Sequence, residues 1–194
     1  MIEINYLEID SRELMPNINE VALRLHMPRE RVMPYCEKLL NRLKANLKCR
    51  GVWSRVPIKR IESGIDLGFG EFISHDLEKN LSGCDEAFLF CVTLGLDVDR
   101  YLMKLSSLSP ADHFVADGLA SSLCEALADE AERIIKENSD CKPRYSPGYG
   151  DMSIETQKGL LELLNAGKLL GINLAKSYLM TPIKTITAIV GIEK

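Results

Sequence analysis

Long hydrophobic runs are missing from this sequence. No apolar stretch reaches the roughly 18 residues of a membrane helix, and the opening "MIEINYLEID" alternates apolar and polar residues without the basic, apolar and small-residue zones of a signal peptide. Neither membrane insertion nor secretion is expected, so the chain reads as cytoplasmic with reduced thiols. Metal-ligand spacing is absent too. Cys36, Cys49, Cys84, Cys91, Cys124 and Cys141 never form a C-x-x-C pair, and only His26, His75 and His113 are available to join them. A zinc or iron-sulfur site is not expected. Charge of one sign is not gathered anywhere. With 24 basic against 28 acidic residues and a net charge of -4, the chain offers no footprint for nucleic acid or an anionic membrane.

What is present suits one globular core. The 194 residues are 46% hydrophobic and 27% charged, with no repeat, low-complexity tract or linker, so a single domain over residues 1–194 is the expectation. "IEINYLEI" has period two and predicts a strand. Pro16, Pro28 and Pro34 then divide the next segment into helical pieces, the last over about residues 35–48 with Leu39, Leu40, Leu43 and Leu47 on one face. "VWSRVPIKRIE" alternates again, and Pro57 suggests an edge strand; "SGIDLGFGEF" reads as a glycine-rich hairpin, and Ser74 as the cap of a short helix. "EAFLFCVTLG", residues 86–95, is a continuous apolar run that predicts a central strand buried on both faces. Two helices follow. The second opens at "SPADHF", with Ser109 as cap and Pro110 in the first turn, and runs to about Glu137. Asp151 or Ser153 is placed to cap a further helix, and "NLAKSYLMTPIKTITAIVGI" predicts a short and a longer strand. Strands and helices mix without regular βαβ alternation, which points to an α+β fold with a twisted, largely antiparallel sheet and flanking helices.

Two places invite a ligand. The stretch "CKPRYSPGYGD" crowds prolines, glycines and tyrosines around one arginine. Pro143 and Pro147 restrict the backbone, Gly148 and Gly150 permit close approach, and Arg144 offers a planar fork for a carboxylate. The alternative is a structural loop in which Arg144 pairs with a nearby acid. On the preceding helix, Val115, Leu119, Leu123, Ala126, Leu127, Ile134 and Ile135 form the stripe that faces the core. Glu125 borders it, with the small residues Gly118, Ser121 and Ser122 one and two turns earlier. Glu125 is either a solvated boundary residue or a carboxylate looking across a shallow groove. "SGIDLGFG" lacks the G-K-[ST] ending of a phosphate loop, His75 and Asp76 suit a helix start, and no nucleophile motif is present.

In this order, "GLASSLCEALADEAERI", "RYSPGYGD" and the closing "GINLAKSYLMTPIKTITAIVGI" carry a helical Leu-x-Glu-Ala, an R-x-x-x-G-Y motif and a Ser-aromatic-x-Met-x-Pro segment. This combination, over roughly residues 85–192, resembles the S-adenosylmethionine-binding activation domain of cobalamin-dependent methionine synthase. The resemblance implies that Arg144 and Glu125 hold the amino-acid end of S-adenosylmethionine, that Gly148 and Tyr149 lie against its nucleoside, and that Ser146 contributes mainly backbone. Two family features have no counterpart here: an acidic contact in an N-terminal aromatic segment, and a tyrosine beyond the final strands. The resemblance therefore implies an open site, a weak one, or one completed by a partner.

The implied function is reactivation. A corrinoid cycling through cob(I) is occasionally oxidised to inactive cob(II), and one electron plus a methyl group from S-adenosylmethionine restores it. The implied partners are a corrinoid-binding methionine synthase or methyltransferase subunit, which carries the cobalamin, and an electron-donating flavoprotein or iron-sulfur protein. The chain would act as a freestanding accessory without acid-base machinery of its own. Two alternatives remain at this point: an interaction module that docks on a corrinoid protein but has lost S-adenosylmethionine, and a small-molecule sensor using the same pocket.

Overall fold

The computed structural model describes residues 2–62, 64–137 and 139–193. The alternating amino-terminal stretch forms β1 (Asn5–Glu8), followed by α1 (Ile18–Arg24) and α2 (Arg29–Lys44). Asn17 starts α1 by accepting from the backbone N–H groups of Asn19 and Glu20. Pro34 does not divide this region as the sequence suggests. It lies inside α2, near its start, where it removes one ladder hydrogen bond. The face made by Val32, Cys36, Leu39 and Leu43 is buried, and that burial outweighs the lost bond.

Four strands come next: β2 (Arg50–Pro57), β3 (Lys59–Ile61), β4 (Gly64–Asp66) and β5 (Glu71–Phe72). The glycine-rich stretch makes the expected hairpin, with β4 between β3 and β5; Ser63, at its start, lies outside the described residues. Ser74 caps α3 (His75–Asn80), its hydroxyl accepting from the Leu77 N–H at 3.0 Å. β6 (Cys84–Thr93) leads to α4 (Leu96–Leu108) and the long α5 (Pro110–Lys136). Ser109 accepts from the Asp112 N–H at the start of α5, as the sequence indicates. The chain continues through α6 (Thr156–Leu163), α7 (Ala166–Leu170), β7 (Asn173–Leu174), β8 (Met180–Thr181) and β9 (Thr185–Glu193).

The main sheet has the order β1-β2-β6-β9 with every pair antiparallel, so the α+β, antiparallel expectation holds. β6 is central and buried on both faces because alternate residues point opposite ways. Phe88, Phe90 and Val92 enter a core with Leu39 and Leu43 of α2 and Leu119 and Leu123 of α5. Ala87, Leu89 and Cys91 enter a second core with Leu77 of α3 and Leu160 and Leu164 around α6. Pro57 misled in part, since β2 lies between β1 and β6. β1 pairs only from Arg50 to Trp53, however, so Pro57 sits where the outer side of β2 has no partner strand to receive an N–H.

On α5, Val115, Leu119, Leu123, Leu127 and Ile135 are buried, with Ala126 and Ile134 packed at the border. The shallow groove expected beside Glu125 is not open. A Cβ on Gly118 would come within 3.1 Å of Leu25, Ser122 accepts from the Asn17 N–H at 2.8 Å, and Ser121 accepts from Lys184 Nζ at 2.9 Å. Small residues here admit neighbouring chain rather than a ligand.

Candidate functional site

After α5 the chain turns back and runs antiparallel along the outer edge of β9. Cys141 bridges to Ile192 and Tyr145 to Ile189, the latter pair exchanging two backbone hydrogen bonds of 2.8 Å. This returns Arg144 to the second half of α5. There Glu125, Asp129 and Glu132 recur at helical spacing and share one face. Arg144 Nη2 donates to Glu125 at 2.9 Å, and Nη1 donates to Asp129 at 2.5 Å and Glu132 at 2.6 Å. Glu132 also holds Lys136 at 2.8 Å. Three carboxylates thus face two cations, and the cluster keeps one negative charge in excess. Partial burial pulls the Arg144 guanidinium down, but its hydrogen bonds to Asp129 and Glu132 outweigh that and hold it above its ordinary range. Arg144 therefore pairs with neighbouring acids, as the structural alternative expects, and one of them is Glu125.

The rest of the loop is fixed by its backbone. Gly148 and Gly150 adopt positive φ of 88° and 50°, which a side chain would resist. Tyr145 donates its hydroxyl to the Tyr149 carbonyl at 2.9 Å, and the Gly148 N–H donates to Met152 at 3.0 Å. Asp151 does not cap α6, the nearer helix. Its carboxylate crosses to the start of α3, accepting from the Ser74 hydroxyl and from the His75 N–H at 2.7 Å. These bonds, Ser74 first, hold its carboxyl below the usual range. Ser153 does not cap α6 either: it accepts from the Glu155 N–H in the turn before the helix, whose cap position, Glu155, makes no side-chain cap bond.

A cavity of about 170 Å³ opens between the loop and the end of the sheet. Glu125, Arg144, Ser146 and Tyr149 line it together with Gln157 of α6 and Thr185 and Thr187 of β9. Four of the five residues singled out from the sequence thus meet at one cavity. Gly148 lies apart, lining a wider cleft with Tyr145 and Gly150 on the far side of Tyr149. Thr187 donates to the Gln157 side chain at 3.4 Å, and the buried Gln157 donates to the Tyr178 carbonyl at 3.1 Å. Cys124 adjoins Glu125, but burial pushes its thiol up to about 12, so it packs rather than reacts. The sequence reading missed Asp129 and Glu132, which their spacing from Glu125 would have revealed. It also missed Gln157 and Thr187, for which no local signal exists.

No protein-family model and no curated protein matches the chain. Among solved structures it is similar to the crystal structure of the MetH reactivation domain bound to AdoHcy, with a TM-score of 0.70 over 98% of this chain and 78% of that one. The fold is that of the MetH reactivation domain. Sequence identity is 19%, so the likeness carries the fold and leaves residue roles to chemistry.

Proposed function

We propose that the chain binds S-adenosylmethionine at the Glu125–Arg144 cavity and serves as a freestanding activation subunit for the corrinoid of a methionine synthase or related methyltransferase. The observation that carries this reading is the convergence of Glu125, Arg144, Ser146 and Tyr149 on one cavity in this fold. The MetH reactivation domain holds AdoHcy, a ligand of the same chemical family. Charge supports it as well. S-adenosylmethionine combines a carboxylate, an ammonium and a sulfonium, a net single positive charge that complements the negative excess around Arg144.

The residues fit the ligand in parts. The cavity is smaller than the roughly 300 Å³ and upward typical of a complete small-molecule site. It suits the amino-acid end, while the nucleoside lies along Tyr149, which is 56% exposed. Arg144 Nη2 exchanges Glu125 for the ligand carboxylate, and the released Glu125 accepts from the ligand ammonium. Asp129 and Glu132 keep the guanidinium oriented throughout. When bound, S-adenosylmethionine supplies a methyl group to the partner's reduced corrinoid and carries its own leaving group. The chain needs only to hold the amino-acid end and exclude water, which accords with a cluster built for charge pairing rather than proton transfer.

One observation favours a second reading. Arg144 already has three carboxylate partners, as a loop that has lost its ligand would require; the chain would then be a corrinoid-protein interaction module. Calorimetry separates the two. On the first reading the parent binds S-adenosylmethionine, Arg144→Ala weakens it about hundredfold and Glu125→Gln about tenfold, the scale of bidentate and single charge-assisted bonds. S-adenosylhomocysteine, lacking the sulfonium charge, binds with a smaller salt dependence. No heat from the parent at about 1 mM ligand, with or without a corrinoid partner, rejects the first reading.

A further inference from the structure

A second cleft, of about 670 Å³, lies between α6, α7 and the β7–β8 hairpin, separate from the residues around Arg144. Its volume falls in the range of small-molecule sites, unlike the 170 Å³ cavity. The floor is apolar: Leu161 and Ile172 are buried and Leu174 is half-buried. Lys158, Lys176 and Glu162 also line it, and among the described residues none of the three makes an ion pair.

The wall is held in an uncommon conformation. Tyr178, which lines the cleft, has a φ of 60°, a backbone region that a bulky aromatic residue rarely adopts. Its N–H donates to the Ala175 carbonyl at 2.9 Å, its carbonyl accepts from Gln157 at 3.1 Å, and the negative charge of Glu155 is the chief cause that pushes its phenol up. A residue whose backbone is fixed at both its N–H and its carbonyl keeps the cleft formed without a ligand.

We infer that this cleft is a binding site for an α-amino acid with an apolar side chain. Lys158 and Lys176 meet the carboxylate, Glu162 meets the ammonium, and the side chain covers Leu161, Ile172 and Leu174. A simple fatty acid leaves Glu162 unmatched beside the ligand, and a simple amine leaves both lysines unmatched. The site stands independently of S-adenosylmethionine binding.

Methyl-labelled NMR on the full chain tests this with three probes of similar shape: L-leucine, 4-methylpentanoate and 3-methylbutylamine. L-Leucine is expected to shift the methyls of Leu161, Ile172 and Leu174, and each analogue to bind about tenfold more weakly for its missing charge. Glu162→Gln abolishes the preference for L-leucine over 4-methylpentanoate. Gly167→Phe fills the cleft, where an added Cβ meets nothing closer than the Ile172 carbonyl oxygen at 3.4 Å, and removes the shifts while the melting temperature stays unchanged. Arg144→Ala leaves them intact. Equal binding of 4-methylpentanoate, shifts centred elsewhere, or none at about 10 mM L-leucine overturns the proposal.

Discussion

The two ends of the 144–151 loop are held by different physics. At one end the backbone pairs with β9 at Tyr145, and the Arg144 side chain is held by charge, through three carboxylates on a single helix face. At the other, shape and backbone do the fixing: Gly148 and Gly150 take left-handed conformations, and Asp151 caps α3, a helix far away in sequence. A charge network can exchange one carboxylate for another without moving the chain, whereas a backbone turn with a remote cap cannot change without opening. On the proposed function, the exchangeable work of ligand capture would fall to the arginine end and the rigid support of Tyr149 to the glycine end.

The sharpest break in this contrast is Gly150→Val. A Cβ at this position would run into the Asp76 carboxylate and lie 2.6 Å from the Tyr145 hydroxyl, on a backbone that β-branched residues avoid. The expected cost is about 3 kcal/mol of stability, read by chemical denaturation. A loss below about 0.5 kcal/mol would show the glycine end to be as adaptable as the arginine end.

Arg144→Met probes the other end and has a smaller expected effect. Removing the cation leaves Glu125, Asp129 and Glu132 facing one another, but Asp129 is exposed, Glu125 is partly exposed and Glu132 keeps Lys136. A loss of about 1 kcal/mol is expected at low salt, shrinking as salt screens the repulsion. A penalty that persists in about 1 M salt would mean that Arg144 acts by packing instead.

Smallest is the effect of Asp151→Asn, which is best seen in its pH profile. The folded-state pKa of Asp151 is lowered, so its stabilising contribution is present above the unfolded carboxylate pKa and is lost as pH falls through the folded value. The variant therefore melts below the parent at pH 6, and the two converge below about pH 4. A melting difference that stays constant down to about pH 2 would remove the carboxylate charge from the account.

Much of the fold was legible in the sequence, because local signals and tertiary outcome agreed. The residue 86–95 run became the central strand, since only a strand buried on both faces tolerates apolar side chains at every position. Ser74 and Ser109 capped the helices they precede. Pro34 misled because a buried helix face overrides a single proline, and Asp151 misled because nothing local shows that α3 lies within reach of its side chain. The candidate site divided the same way. Arg144 and Glu125 were visible through charge and position, while the filling of the Gly118–Ser122 groove by Leu25, Asn17 and Lys184 was not.

By itself, then, the amino-acid order determined where most of the strands and helices lie, which strand is central, and which residues carry charge beside an apolar stripe. Those properties follow from period, capping and burial over a few neighbouring positions. Only the tertiary structure decided that Arg144 returns to three carboxylates of α5, that Gln157 and Thr187 line the same small cavity, and that Tyr178 lines a larger cleft. These are meetings between residues far apart in the chain, set by how strands pair and layers pack, and no local pattern encodes them.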